Sequence, residues 1–355
     1  GVALQSHPLH QREVGDGPTL LQGLDARLDL VHQRFHREMV DLAAQAKRKA
    51  ALRNLQQPLR LVLQLGEGRH ILVDPRQVEV GFTDRQDEVL ADPTIDCVLN
   101  LTIPAAHAEI SRAALNAGKH VYSEKPFVTN RADGQALLAL AREKGLLIGN
   151  APDTFLGARW QTVRRLIDQG AIGKPTGVFA HVGTHGTERH HPNPDFYYQA
   201  GGGPLLDLGP YYLTAMVFCL GPIDSVAGMA RRTFDKRMIE NGPRNGEWMD
   251  VEVHTHSLSL LKFTSGAIGQ MTMSFDIWDS ETPRFEIYGE DGTICIPDPD
   301  PVHGANIFEG EVWLKARDTS RWALQPRPTG RQDWQVVDNQ HGFNEDSRGL
   351  GLVDL

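Results

Sequence analysis

The sequence is poor in the features that mark several classes of protein. It has three cysteines, Cys97, Cys219 and Cys295, widely spaced and each within an apolar segment. That pattern favours buried free thiols over a disulfide framework or a cysteine metal site, and a reducing, cytoplasmic location is expected. No uninterrupted apolar run approaches the roughly 18 residues of a membrane helix, and the polar segment 1–17 has no apolar core of a secretory signal. The charge balance is acidic, 36 Lys and Arg against 45 Asp and Glu, with no dense basic run. Nucleic acid and membrane are therefore not expected as partners. Internal repeats and low-complexity tracts are also missing.

A further absence lies near the N-terminus. A dinucleotide fold opens on an apolar strand, G-x-G-x-x-G and a helix, because glycines let the backbone approach a pyrophosphate at the helix N-terminus. Gly15-Asp16-Gly17 has Leu20 at the third glycine position and no strand before it; Gly66-Glu67-Gly68 has Ile71 there and a strand-like run after it. Both read as turns. Around them, Leu24, Leu28, Val31, Phe35, Met39 and Leu42 recur at steps of three and four and predict a long amphipathic helix between Thr19 and Leu55. Leu59, Leu61, Leu63 and Leu65 then alternate, and His70–Val73 follows the glycines, which predicts a β-hairpin with one wetted face.

What is present fits a two-domain globular chain: 355 residues, 40% apolar and 23% charged. The apolar run Ile95–Leu101 is broken at Thr102–His107, Ala108–Ala117 carries Ile110, Ala113, Ala114 and Ala117 at helical spacing, and Gly118–Pro126 (GKHVYSEKP) reads as a second strand. That is one βαβ unit, and ligands of open α/β sheets bind at the carboxyl ends of the strands. Lys125 sits at such an end, with Pro126 holding it out of a helix. A solvated Glu124–Lys125 pair capping the strand is the competing reading.

The Thr-x-Pro loop with a downstream His, the alanine-rich helix, Gly-Lys-His-Val and Glu-Lys-Pro together resemble the glucose-fructose oxidoreductase/inositol dehydrogenase (Gfo/Idh/MocA) family. The resemblance implies an NAD- or NADP-dependent oxidoreductase acting by hydride transfer on a hydroxyl of a sugar, inositol or related polyol. It starts near Val78 and covers about residues 78–355, so residues 1–77 are read as an atypical segment, residues 78–152 as the remainder of a Rossmann domain and residues 153–355 as a substrate-binding and oligomerisation domain. For residues 1–77 a replaced segment competes with a shifted reading frame, which the glutamine-rich, glycine-poor composition favours. Residues 347–355 resemble the start of the family's final helix, as if the C-terminus were also shortened.

The fold expected is α/β followed by α+β: a Rossmann-type parallel sheet with its first strands atypical or missing, then a large, mostly antiparallel sheet. Helices are predicted over Arg131–Glu143 and Trp160–Asp168, with the strand Leu146–Gly149 between them. From Thr176 the period changes to two, with strand candidates at Val178–Val182, Ser225–Arg231, His256–Phe263, Ala267–Phe275, Arg284–Tyr288, Thr293–Ile296 and Glu311–Ala316. The resemblance implies that this sheet forms a homo-oligomer interface.

Hydride chemistry needs a group to move the hydroxyl proton, and Lys125 is the first candidate. In Gly201–Tyr212 (GGGPLLDLGPYY), Asp207 and Gly209 match the family's Asp-x-Gly-x-His and Tyr211 replaces the histidine. The resemblance implies that Lys125 and Tyr211 handle the proton while Asp207 orients substrate. Helix capping by Asp207 and a core-edge aromatic at Tyr211 compete. For the cofactor the resemblance implies Asn100, Thr102, Pro104, His107, Glu124 and Lys125, although Thr102 and Pro104 are also ordinary loop residues and His107 a potential helix cap. The loop His181–Tyr198 has four histidines but no metal-ligand spacing, so no metal is expected. It reads instead as a sugar-binding rim, with His185, His191 and Asn193 named for substrate. A non-catalytic sugar-binding remnant lacking the cofactor loop is the alternative.

Overall fold

A computed structural model describes residues 86–297, 310–317, 333–342 and 350–355, and the backbone of three strands before them. Those strands are β1 (Leu61–Leu65), β2 (Arg69–Asp74) and β3 (Gln77–Thr83). The long helix expected between Thr19 and Leu55 lies outside the described residues.

The first sheet adds β4 (Cys97–Leu101), β5 (His120–Ser123) and β6 (Ile148–Asn150) in the order β3-β2-β1-β4-β5-β6. Strands β1, β4, β5 and β6 run parallel, whereas β2 and β3 pair antiparallel. The expected hairpin is β1–β2, and its first strand pairs with β4 in the same sheet. The helix His107–Asn116 makes the crossover from β4 to β5, and the helix Arg131–Lys144 that from β5 to β6. Asn130 starts the second helix by accepting from the backbone N–H of Asp133 at 3.0 Å. Ala114 and Leu115 of one helix and Leu137 and Ala141 of the other pack on Val98 and Val121 of the strands. This core fixes the carboxyl ends of β4 and β5 side by side, with Asn100 opposite Ser123.

The second sheet has eight strands, in the order β16-β15-β14-β13-β7-β12-β11-β8. These are β7 (Pro175–Gly183), β8 (Ile223–Arg231), β11 (His256–Phe263), β12 (Ile268–Ser274), β13 (Phe285–Gly289), β14 (Gly292–Ile296), β15 (Val312–Ala316) and β16 (Gln335–Val337). All neighbours are antiparallel except β7 and β12. One face buries Val178, Ala180, Met271, Met273, Phe285 and Ile287 against the helices Ala158–Asp168 and Gly209–Leu220, whose Trp160, Val163, Tyr212 and Met216 are fully buried or nearly so. Three short strands had no alternation long enough to read: β16, β9 (Lys236–Met238) and β10 (Trp248–Asp250), the last two forming a ribbon between β8 and β11. Among the described residues no helix is long and apolar enough to cross a membrane.

Candidate active site

A cavity of about 220 Å3 opens where the β4 and β5 ends face the second domain. Leu101–Pro104 after β4, Glu124, Lys125 and Pro126 after β5, and Phe196, Tyr197, Gly201, Gly202 and Asp207 from the second half of the chain line it. The polar groups converge on Lys125. Its Nζ donates to the Asp207 carboxylate at 2.5 Å and to the Asp207 main-chain carbonyl at 2.8 Å. Both side chains are largely withdrawn from solvent, 17% and 14% exposed, so this ion pair is less screened than a surface pair. The Tyr211 ring stands 5.5 Å from the same nitrogen.

Local geometry explains why these residues meet. The Glu124 carboxylate accepts from the Lys125 backbone N–H at 2.8 Å, and Asn150 at the end of β6 donates to the carbonyls of Ser123 and Glu124, both at 2.9 Å. Asp207 closes the short helix Pro204–Asp207, so it is not the N-cap that competed for its role. That helix follows a loop only glycine can form: a Cβ on Gly202 would lie 2.5 Å from the carbonyl oxygens of Phe196 and Tyr197, and Gly203 has φ +85°.

Of the residues named from sequence, Thr102, Pro104, Glu124, Lys125 and Asp207 line the cavity. Asn100 and His107 do not: both are fully buried beneath the loop. Asn100 donates to the His107 carbonyl and Ser111 hydroxyl, each at 3.1 Å, and its Oδ1 accepts from the Thr102 hydroxyl at 2.7 Å. The His107 ring nitrogens face the carbonyls of Pro126 and Thr102 at 2.6 and 2.8 Å, tying the two cavity loops together. Tyr211 is buried behind Lys125.

The three residues named for substrate also stand off the cavity. His191 packs edge-on against Phe196 and Tyr197, and its Nδ1 accepts from the Asn193 backbone. Asn193 is exposed, and His185 stacks on Trp278. Phe196 and Tyr197 are the rim residues that do reach the cavity. Their signal was the Phe-Tyr-Tyr run ahead of three glycines. Asn150 was missed, although a polar residue ending a buried strand marks the same sheet edge as Lys125.

Burial lowers the pKa of His185 and His191, and hydrogen bonding to Arg244 holds Asp195 below the usual carboxylate range. Burial raises Asp153, which accepts from the Tyr122 hydroxyl and the Gly351 N–H, each at 2.8 Å. Among the described residues no three His, Cys, Asp or Glu side chains group as metal ligands.

Two family models match the chain: an oxidoreductase family with an NAD-binding Rossmann fold over residues 32–151, and the GFO/IDH/MocA C-terminal domain over residues 160–295. The first match begins well before Val78 and takes in part of the segment that looked atypical. The chain is 28% identical over 216 residues to the 1,5-anhydro-D-fructose reductase of Ensifer adhaerens, covering 59% of each chain. It is 32% identical over 196 residues to the dTDP-3,4-didehydro-2,6-dideoxy-alpha-D-glucose 3-reductase of Actinomadura kijaniata, covering 54% of this chain and 53% of the relative. The chain thus spans between half and three-fifths of the length of these curated relatives. A levoglucosan dehydrogenase solved with NADH superposes with a TM-score of 0.57 at 20% identity, over 76% of this chain and 66% of the other, a likeness of fold.

Proposed function

The chain belongs to the Gfo/Idh/MocA family of oxidoreductases, and on that premise we propose that it interconverts a hydroxyl and a carbonyl of a neutral sugar or polyol with NAD or NADP. The observation that carries the reading is the Lys125–Asp207 pair lining a cavity at the carboxyl ends of two parallel strands.

The donor set fits the nicotinamide end of a dinucleotide. Glu124 offers carboxylate acceptors for ribose hydroxyls, Thr102 a hydroxyl, and Leu101, Ile103, Pro104 and Pro126 an apolar surface for a flat ring. Asn100 and His107 hold that loop in place. The bound nicotinamide would give or take the hydride. The protein's part is the proton. Lys125 Nζ has three N–H donors, two committed to Asp207, and the third is available to a substrate oxygen in the cavity. In reduction the Lys125 ammonium gives a proton to the carbonyl oxygen and is left as the neutral amine; in oxidation the neutral amine, its proton first lost to solvent, takes the proton of the hydroxyl. Asp207 fixes the direction of the ammonium, and the Tyr211 ring steadies it from behind.

One observation favours the competing reading of a sugar-binding protein without turnover: β1 and β2 are antiparallel neighbours three residues apart, where a dinucleotide fold has a helical crossover. The outward side of the second sheet supports assembly. Met229, Leu258, Leu260 and Ile268 share one exposed face of adjacent strands, and a second copy is the proposed cover.

The test is a spectrophotometric screen of neutral sugars, anhydrosugars and inositols with NAD and NADP. Turnover that disappears in Lys125→Met supports the enzyme. Sugar binding by thermal shift with no turnover supports the competitor.

A further inference from the structure

The cavity that Lys125 lines is also lined by an aromatic pair, Phe196 and Tyr197, with ring centres 4.1 Å apart. The residues on either side of the pair are anchored elsewhere. Asp195 receives both Nη groups of Arg244, at 2.5 and 3.2 Å. Tyr198, fully buried, donates its hydroxyl to Glu188, and Glu188 accepts from Arg237 at 2.5 Å. Arg237 also pairs with Asp276, donates to the Phe275 carbonyl at 2.8 Å, and lies between the rings of Phe234 and Tyr198 at 5.2 and 5.5 Å.

Both arginines come from one excursion, residues 232–255, which leaves the large sheet after β8 and re-enters it at β11. Its backbone adds two more ties: Glu240 N–H to the Glu188 carbonyl at 3.0 Å and Glu252 N–H to the Tyr198 carbonyl at 2.8 Å. The Asn241 side chain adds a third, to the His190 carbonyl at 2.7 Å. The wall itself is a single turn, closed by Tyr198 N–H to the Asp195 carbonyl at 2.8 Å, and has little stiffness of its own.

We propose that residues 232–255 determine substrate specificity by fixing the aromatic wall of the cavity, with Arg244 and Arg237 as positioning residues. The proposal rests on the oxidoreductase reading. An aromatic pair recognises the C–H face of a sugar ring, and its placement decides which ring sits with a hydroxyl at Lys125. The two arginines differ in what they tolerate. Arg237 is buried between two carboxylates, so its removal would strand buried charge and threaten the fold. Arg244 is one-third exposed, so it can be changed with the core intact.

The experiment uses the full chain as wild type, Arg244→Gln and Arg244→Lys. Arg244→Gln is expected to raise KM for the sugar about tenfold while kcat stays within about twofold, the pattern of lost uniform binding. Arg244→Lys keeps the charge but loses the fork, and an intermediate rise of roughly threefold is expected. NADH affinity is expected to be unchanged. Amide hydrogen exchange is measured on the same samples. Tyr197, Tyr198 and Gly203 are expected to exchange faster in Arg244→Gln, while Val121 and Glu124 keep the wild-type rate. Unchanged KM with unchanged exchange overturns the proposal, as does a uniform rise of exchange with kcat and NADH affinity falling together. If the wild type turns over no sugar, the oxidoreductase reading fails, and the exchange pattern alone decides whether Arg244 positions the wall.

Discussion

The Lys125 ammonium donates twice to Asp207, a residue 82 positions later in the chain, once to its carboxylate and once to its main-chain carbonyl. This pair joins the two sheets' domains at a cavity lined by a cation, two carboxylates and an aromatic pair. It also separates two contributions that substitution can resolve. Lys125→Met removes the proton carrier, and kcat is expected to fall by about 10²–10⁴ with far-UV dichroism unchanged. Asp207→Asn keeps the main-chain bond and an acceptor oxygen, so a smaller loss, about 10-fold to 10²-fold, is expected by the same steady-state assay.

Tyr211 touches Lys125 through its ring, not through the cavity surface. Tyr211→Phe preserves that contact and is expected to retain kcat within about threefold, whereas Tyr211→Ala is expected to lose at least tenfold, matching roughly 1–2 kcal/mol of cation–π stabilisation. Equal losses in the two variants would assign the hydroxyl a direct part in proton transfer.

Asn100 and His107 act on stability before they act on chemistry. Asn100→Ala leaves the His107 carbonyl and Ser111 without their buried donor and frees the Thr102 loop. A loss of about 2–4 kcal/mol in denaturant unfolding is expected.

Burial lowers the pKa of His181, His185 and His191 in the folded chain. As pH falls through the unfolded histidine value near 6.5, the unfolded chain takes up protons before the folded one does, so stability is fully present above that value and declines below it. Denaturant midpoints are expected to fall from pH 7.5 to pH 5.5, and His191→Gln is expected to flatten the slope. The Asp195 carboxyl, held low by Arg244, adds a separate loss only below its own unfolded value, about pH 4.

Much of this site was legible in the sequence because its motifs end strands. Glu-Lys-Pro after an apolar run places Lys125 at a sheet edge whatever precedes it, and three glycines before Asp207 announce a close backbone approach. Asn100 and His107 show the limit: a polar residue in a loop motif reads equally as a ligand contact or as the brace beneath the loop, and only burial distinguishes them. Arg237 and Arg244 carried no signal, because the short strands of residues 232–255 lack periodicity and the partners lie about 50 positions away. The β1–β2 hairpin was read from alternation, but its place beside β4 is a long-range pairing that alternation does not encode.

The measurement closest to the central claim is titration of the purified chain with NADH and NADPH, followed by nicotinamide fluorescence, for the wild type, Glu124→Gln and Lys125→Met. Saturable binding of one of the two by the wild type is expected, weakened about tenfold in Glu124→Gln by loss of a charged acceptor for ribose hydroxyls. A folded chain that binds neither dinucleotide, or that binds one with equal affinity in all three forms, would contradict it.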